Sequence, residues 1–173
     1  MAFVVADGTG LATSTSYVDL AFASAYADSY FTSAQYTTWT NVTEADLERS
    51  LNRASMYLDT TYVFKGRKLL STQALQFPRS LVYDIDGALI SGIPTVIKQA
   101  ACLAAVRMLG GINLSPDVSR GGIIREKVDT IDITYAEGSS RYTRYTDIDN
   151  LLKASNLITQ NRNSSANIRI IQG

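Results

Sequence analysis

The segment IPTVIKQAACLAAVRMLGG, residues 93–111, constrains the fold more than any other part of the chain. Pro94 suits the first position of a helix, where a missing N–H costs nothing. Gly110 and Gly111 supply the stop. Between them, Val96, Ile97, Ala100, Ala101, Cys102, Leu103, Ala104, Ala105, Val106, Met108 and Leu109 make the helix apolar almost all round. A surface helix shows an apolar stripe and a polar face; one that is apolar on every side has to be enclosed. The rest of the chain must therefore wrap this rod. No window reaches the ~18 apolar residues that would cross a bilayer. With 173 residues, 46% of them hydrophobic and 18% charged, the composition is that of one globular domain with an ordinary core.

The wrapping elements are legible from periodicity. Asp19 is placed to cap a helix in which Phe22, Ala23, Tyr26, Ala27 and Tyr30 recur at helical spacing. Residues 32–42 read as a polar loop holding Tyr36 and Trp39. Thr43 opens a second helix, with Asp46 approximating a capping box and Glu44 suited to the positive dipole end. Its stripe, Leu47, Leu51, Ala54, Leu58 and Tyr62, predicts an amphipathic helix that ends at residues 62–65 before Gly66. Residues 3–10 read as a short strand and turn, and residues 71–75 as a short helical turn. Residues 124–128 and 130–136 read as two strands, a hairpin at about 123–136. Thr146 and Asp149 are read as caps of a fourth, short helix with Ile148, Leu151, Leu152 and Ser155 on one face. Residues 159–167 are polar and loop-like. The expected fold is mainly α: a small helical bundle around a buried central helix, with a β-hairpin extension. Residues 1–158 form the helical domain and residues 159–173 an extended C-terminal tail. Ile168, Ile170 and Ile171 close that tail. They make sense if they dock, on the same chain or on a neighbour.

Residue usage argues against catalysis. Histidine is absent, which removes the commonest general base and metal ligand. The lone Cys102 sits in the apolar helix, where cysteine serves as a small hydrophobe. The stretch DIDG, with Asp84, Asp86 and Gly87, matches the start of a calcium loop. Residues 88–98 contain no later acidic ligand, so a tight turn with Asx hydrogen bonds is expected instead. No cofactor, no metal and no enzymatic activity are expected. The N-terminus lacks a basic flank before an apolar run, so a secretory signal is not expected, and synthesis in a reducing cytoplasm is.

Charge is balanced overall, with 16 Lys and Arg against 16 Asp and Glu, so no global field draws the chain to nucleic acid. The distribution is uneven. Residues 1–42 hold three Asp and no cation, residues 65–125 hold eight cations against three Asp, and no acid follows Asp149. Head-to-tail stacking of identical subunits is one use for that asymmetry. Two places interleave cations with rings: Lys65, Arg67 and Lys68 beside Tyr62 and Phe64, and Arg141, Tyr142, Arg144 and Tyr145. Single-strand binders use such groups, because bases stack on rings while cations track phosphates. A solvated rim or a protein interface uses them too.

Several segments, in order, resemble a family of tailed-phage proteins: the early DGTG with SYVDL, then ASMYLDTTYVFKGRK, LQFPRSLVYDIDG, IPTVIKQAACLAA and RGGIIREKV with IDITY. The sharpest part is Phe77, Pro78, Arg79, Asp84, Gly87, Ile93, Pro94, Lys98 and Ala100; the family usually shows Trp where this chain has Phe77. Members are small head–tail connector, adaptor or head-completion proteins, and some carry a DnaT-like single-stranded-DNA-binding label. The resemblance spans roughly residues 5–157. It implies a ring, commonly of twelve copies, beneath the portal of a DNA-filled head. That ring would extend the channel for passing double-stranded DNA, without sequence specificity, and would dock the next tail or neck component. The location implied is the virion neck, in a particle assembled in a bacterial cytoplasm, with no membrane partner.

On this reading Phe77, Pro78, Arg79, Asp84, Gly87 and Pro94 brace a rigid loop or face a neighbouring subunit. Arg79 is expected to pair with Asp84 or Asp86. Ile168, Ile170 and Ile171 would anchor the tail on the portal or the next subunit. Arg125 and Lys127 would line the DNA channel. The alternatives are a single-stranded-DNA-binding protein, or another ring of the same particle such as a tail terminator.

Overall fold

A computed structural model describes residues 2–115, 125–128, 131–134 and 145–161. Its regular structure is mainly helical, with α1 (Leu20–Tyr30), α2 (Ser33–Thr40), α3 (Glu44–Thr61), α4 (Thr95–Leu109) and α5 (Thr146–Ala154). The strands are short and pair in twos. β1 (Tyr62–Phe64) pairs with β6 (Ile158–Asn161), β2 (Arg67–Lys68) with β3 (Arg79–Ser80), and β4 (Arg125–Val128) with β5 (Ile131–Thr134), all antiparallel.

The apolar rod is α4, and it is the axis of the core. Ile97, Ala100, Ala101, Cys102, Ala104, Ala105 and Val106 are buried on it. α3 lies along α4 as its main partner, and α1, α2 and α5 cover other sides. The alanines of α4 let Leu51, Ala54 and Leu58 of α3 approach closely; all three are fully enclosed. Burial pushes the Cys102 thiol up to about 12, so it packs as a hydrophobe and does not ionise at neutral pH. Among the described residues no helix is long and apolar enough to cross a membrane.

Caps fix the helix starts. Asp19 accepts from the Phe22 N–H at 2.7 Å, and Thr43 from the Asp46 N–H at 3.2 Å. Pro94 is the N-cap of α4, one place earlier than expected, with the helix opening at Thr95. The main departure is α2, where the sequence predicts a loop. Thr32 and Gln35 form a reciprocal capping box, and Trp39 turns inward to meet Phe31 edge-on at 5.7 Å. A helix of eight residues that are polar or aromatic except for Ala34 has almost no apolar periodicity, so its cap is its one local signal.

Other boundaries shift for similar reasons. α3 ends at Thr61, because Tyr62 starts a strand. Residues 71–75 form turns rather than a helical turn, and residues 3–10 contribute a single bridge, Val5 to Ser16. Thr146 is the first residue of α5 and Tyr145 its N-cap, without a side-chain capping bond; the Tyr145 hydroxyl donates instead to the Asn113 carbonyl at 3.2 Å. Asp149 is not a cap: it is buried and accepts from the Tyr62 hydroxyl at 2.5 Å. Residues 158–161, read in part as loop, form β6, with Tyr62 opposite Asn161 and an irregularity between Val63 and Phe64. The hairpin of β4 and β5 pairs Val128 with Ile131 and Arg125 with Thr134. Ile168, Ile170 and Ile171 lie outside the described residues, as do Arg141, Tyr142 and Arg144.

Candidate functional site

The segment between Phe64 and Pro94 has almost no regular structure, yet it is tightly organised around Arg79. β3 pairs with β2, and this places the Arg79 guanidinium over the turn at residues 64–66. Its Nε donates to the Lys65 carbonyl at 2.6 Å, and its terminal nitrogens donate to the Gly66 carbonyl at 2.8 Å and to Gln76 Oε1 at 2.8 Å. The expected pairing with Asp84 or Asp86 does not occur. The planar fork of arginine is spent instead on the backbone carbonyls of the turn and on the Gln76 side chain. Partial burial lowers the Arg79 pKa, although Tyr17 and Asp59 lie close enough to oppose that.

Gly66 makes this approach possible. It sits at φ +72, and a Cβ there would lie 2.3 Å from the Ser80 carbonyl oxygen and 2.6 Å from Val82 Cγ2. Behind it, Gln73 is buried with each amide group engaged. Its Nε2 donates to the carbonyls of Leu75 at 2.8 Å and Pro78 at 3.0 Å, and its Oε1 accepts from the Leu70 N–H at 3.0 Å.

A second buried polar group closes the other side. The Tyr17 hydroxyl donates to Asp59 and accepts from the Phe77 N–H at 3.2 Å; Asp59 Oδ2 accepts from the Gln76 N–H at 2.9 Å. Burial raises the Asp59 carboxyl to about 6, against the pull of the Tyr17 and Gln76 hydrogen bonds. Phe77, only 2% exposed, packs edge-on against Phe64 at 5.0 Å and against Tyr17 at 6.4 Å. Phe77 is therefore a core residue and not an interface residue. The Phe77–Pro78 peptide is cis.

Downstream the chain makes a small exposed hairpin. Tyr83 bridges Leu89, and the Ile90 N–H donates to the Val82 carbonyl at 2.9 Å. Asp84 holds the tip, with Oδ1 accepting from the N–H groups of Asp86 at 3.0 Å and Ala88 at 2.8 Å. Gly87 takes φ +83 at the turn. The Asn156 side chain donates to the carbonyls of Tyr83 at 3.1 Å and Asp84 at 3.3 Å, and also accepts from Lys65. The hairpin is thereby tied to the end of α5. Pro94 then leads into α4. What this frame holds out is apolar: Leu81, Tyr83, Ile85 at 76% exposure and Leu89 at 63%.

The basic run nearby is not a stacking platform. Tyr62 and Phe64 are buried, Lys65 is bonded to Asn156, and Lys68 donates to the Gln73 carbonyl at 3.2 Å. Tyr145 lies edge-on to Tyr57 with Arg107 over its ring at 5.4 Å. A row of partly exposed rings lies elsewhere, on α1. Phe22 and Tyr26 are parallel at 6.4 Å, Tyr26 and Tyr30 stack at 4.8 Å, and Lys98 sits 5.4 Å from the centre of Phe22. Arg125 and Lys127 are two places apart on β4, opposite Thr134 and Asp132.

Tyr17, Asp59, Gln73 and Asn156 belong to this frame and are missed by sequence reasoning. Asp59 could have been found, because an acid next to Leu58 on the inner side of an amphipathic helix needs a buried partner. Asn156 takes φ +58 just after α5, a conformation that asparagine tolerates.

A family model described as "Putative DnaT-like ssDNA binding protein" matches residues 1–173. No curated protein and no solved structure matches the chain.

Proposed function

The chain belongs to the DnaT-like ssDNA-binding protein family, and within that family we propose that it is a structural subunit, a head–tail adaptor of a tailed phage. The observation that supports this most is the hairpin of residues 82–90. Hydrogen bonds from Asp84 and Asn156 hold the backbone rigid while Leu81, Tyr83, Ile85 and Leu89 face solvent. A protein stabilises an exposed apolar cluster in this way where another surface covers it. Copies of the chain close into a ring by heterologous contacts, in which one patch meets a different patch on the next copy. The portal lies on one side of the ring and the next neck component on the other. DNA passes through the centre without being read, in keeping with a net charge of zero. Arg125 and Lys127 line that passage. No reaction is assigned to the protein, and its place is the neck of the virion.

The decisive test images particles assembled without this chain. Full heads that lack tails and leak DNA support the adaptor; normal tailed particles sink it. Replacing Arg125 and Lys127 with Gln should alter DNA retention or ejection while the ring still assembles, and unchanged retention removes the channel role.

One observation favours a second reading, single-stranded-DNA binding. The Phe22, Tyr26 and Tyr30 ladder with Lys98 at its end has the form of a base-stacking platform. The family description points the same way. Binding of an oligothymidylate measured at several salt concentrations separates the readings. A steep salt slope that is lost in Tyr26→Ala and Lys98→Gln would favour this second role.

A further inference from the structure

A groove of about 630 Å³ lies between α1 and α2, lined by Ala27, Asp28, Phe31, Ser33, Tyr36 and Thr37. Phe31 supplies an apolar floor. Asp28 and Tyr36 both line the groove, and the nearby carboxylate raises the Tyr36 pKa, so one ring and one carboxylate stand together at the rim. The groove's one charged lining residue is Asp28. The sequence around it is acidic: residues 1–48 contain Asp7, Asp19, Asp28, Glu44, Asp46 and Glu48 and no Lys or Arg. A guanidinium is the side-chain group that both stacks on a ring and bridges a carboxylate. The groove therefore suits an apolar segment carrying arginine.

The end of this chain, outside the described residues, is such a segment. Residues 162–173 contain Arg162 and Arg169, the three isoleucines Ile168, Ile170 and Ile171, and no acid. Their starting point is known: β6 ends at Asn161, opposite Tyr62 at the C-terminal end of α3. The groove is at the other end, because α2 runs through residues 41–43 into the start of α3. α3, which runs between these two places in the sequence, is roughly 27 Å long at 1.5 Å per residue. Twelve extended residues reach about 40 Å. The basic, isoleucine-rich arm thus leaves one end of the subunit while its complement lies at the opposite end, the arrangement a head-to-tail contact requires.

We propose that residues 162–173 of one copy dock in the α1–α2 groove of the next copy, with Arg169 against Asp28 and Tyr36 and the isoleucines over Phe31. The proposal rests on the ring reading, for which it names the contact that links neighbours.

The test uses the full chain in two separately tagged batches, one carrying Thr37→Cys and the other Ile170→Cys. Cys102 is buried and does not interfere. After mixing and mild oxidation, a disulfide between the two batches is expected, and none when Ser71→Cys replaces Thr37→Cys. Asp28→Lys should reduce the cross-linked product about tenfold, the size of a charge-assisted contact worth ~1.4 kcal/mol. Adding Arg169→Glu to the cysteine-bearing partner should restore it. Absence of the cross-link overturns the proposal. So does a cross-link formed only within one molecule of the Thr37→Cys, Ile170→Cys double variant, which would place the arm on its own subunit. Sedimentation of the wild-type chain separates the two levels. A ring without the cross-link removes the arm contact alone, whereas a chain that stays monomeric at the highest attainable concentration, without the cross-link, removes both.

Discussion

Residues 64–80 and residues 81–90 are neighbours in sequence and opposite in design. The first stretch turns its polar groups inward. Arg79, Gln73 and Asp59 are each bonded to backbone groups of this stretch, at buried or partly buried positions for Gln73 and Asp59. The second turns its apolar side chains outward, and its hydrogen bonds serve only to fix a small hairpin. The contrast teaches where stability and recognition are separated. A loop dense in buried polar groups is costly to disturb, because each lost bond leaves a desolvated partner behind. A braced apolar hairpin is cheap to alter in the isolated protein and, in the ring we propose, expensive only in the assembly.

The largest expected effect breaks the first region. Gly66→Ala combines a positive φ with a Cβ 2.3 Å from a carbonyl oxygen, and neither neighbour is the end of a flexible side chain. Urea unfolding should show a loss of about 3 kcal/mol or more. Wild-type stability would show that the approach of residues 66 and 80 is not fixed. Next comes Arg79→Lys. Lysine keeps the charge but cannot span three acceptors, so a loss of about 2 kcal/mol is expected by the same measurement. An unchanged midpoint would mean that water replaces the guanidinium.

Asp59 gives a pH test of the same region. Its folded pKa, about 6, lies above the ordinary carboxyl value of 3.8. The native state therefore prefers the protonated acid. The group's contribution is complete below pH ~4 and is lost as pH rises through 6, amounting to at most about 3 kcal/mol. Stability curves at pH 4 and pH 7 should differ less in Asp59→Asn than in the wild type; parallel curves would dismiss the raised carboxyl. The smallest effect on the isolated chain belongs to the second region. Ile85→Ser with Leu89→Ser should change unfolding free energy by no more than about 0.5 kcal/mol per site. Sedimentation should nonetheless show weaker self-association. Strong destabilisation with intact association would reverse the contrast.

The same divide governs how much could be read in advance. Periodicity and caps reveal α1, α3 and α4, because a stripe such as Leu47, Leu51, Ala54 and Leu58 reports burial directly. α2 escapes because its inward side is little more than Trp39. The motif from Phe77 to Pro94 is visible as punctuation: prolines, a glycine and Asx residues mark a fixed backbone. What those residues touch is not visible. Arg79 finds carbonyls 13 to 15 residues away, and Asn156 reaches back 72 or more, contacts that no local pattern encodes. Asp149 misleads for the same reason. An acid in the first turn of a helix normally serves that helix, and here its partner is Tyr62, 87 positions earlier.

The pairing of β1 with β6 has a consequence for how the protein is made. Tyr62 waits beside the end of α3 for a strand that is synthesised about a hundred residues later. Until that strand emerges, α3 and α4 can meet, but the seam that shuts Leu152, Leu157 and Tyr62 away from water stays open. A nascent chain stalled before residue 158 should therefore expose this greasy edge to chaperones. The translating ribosome, by the moment at which it delivers residues 158–161, decides when that edge can close.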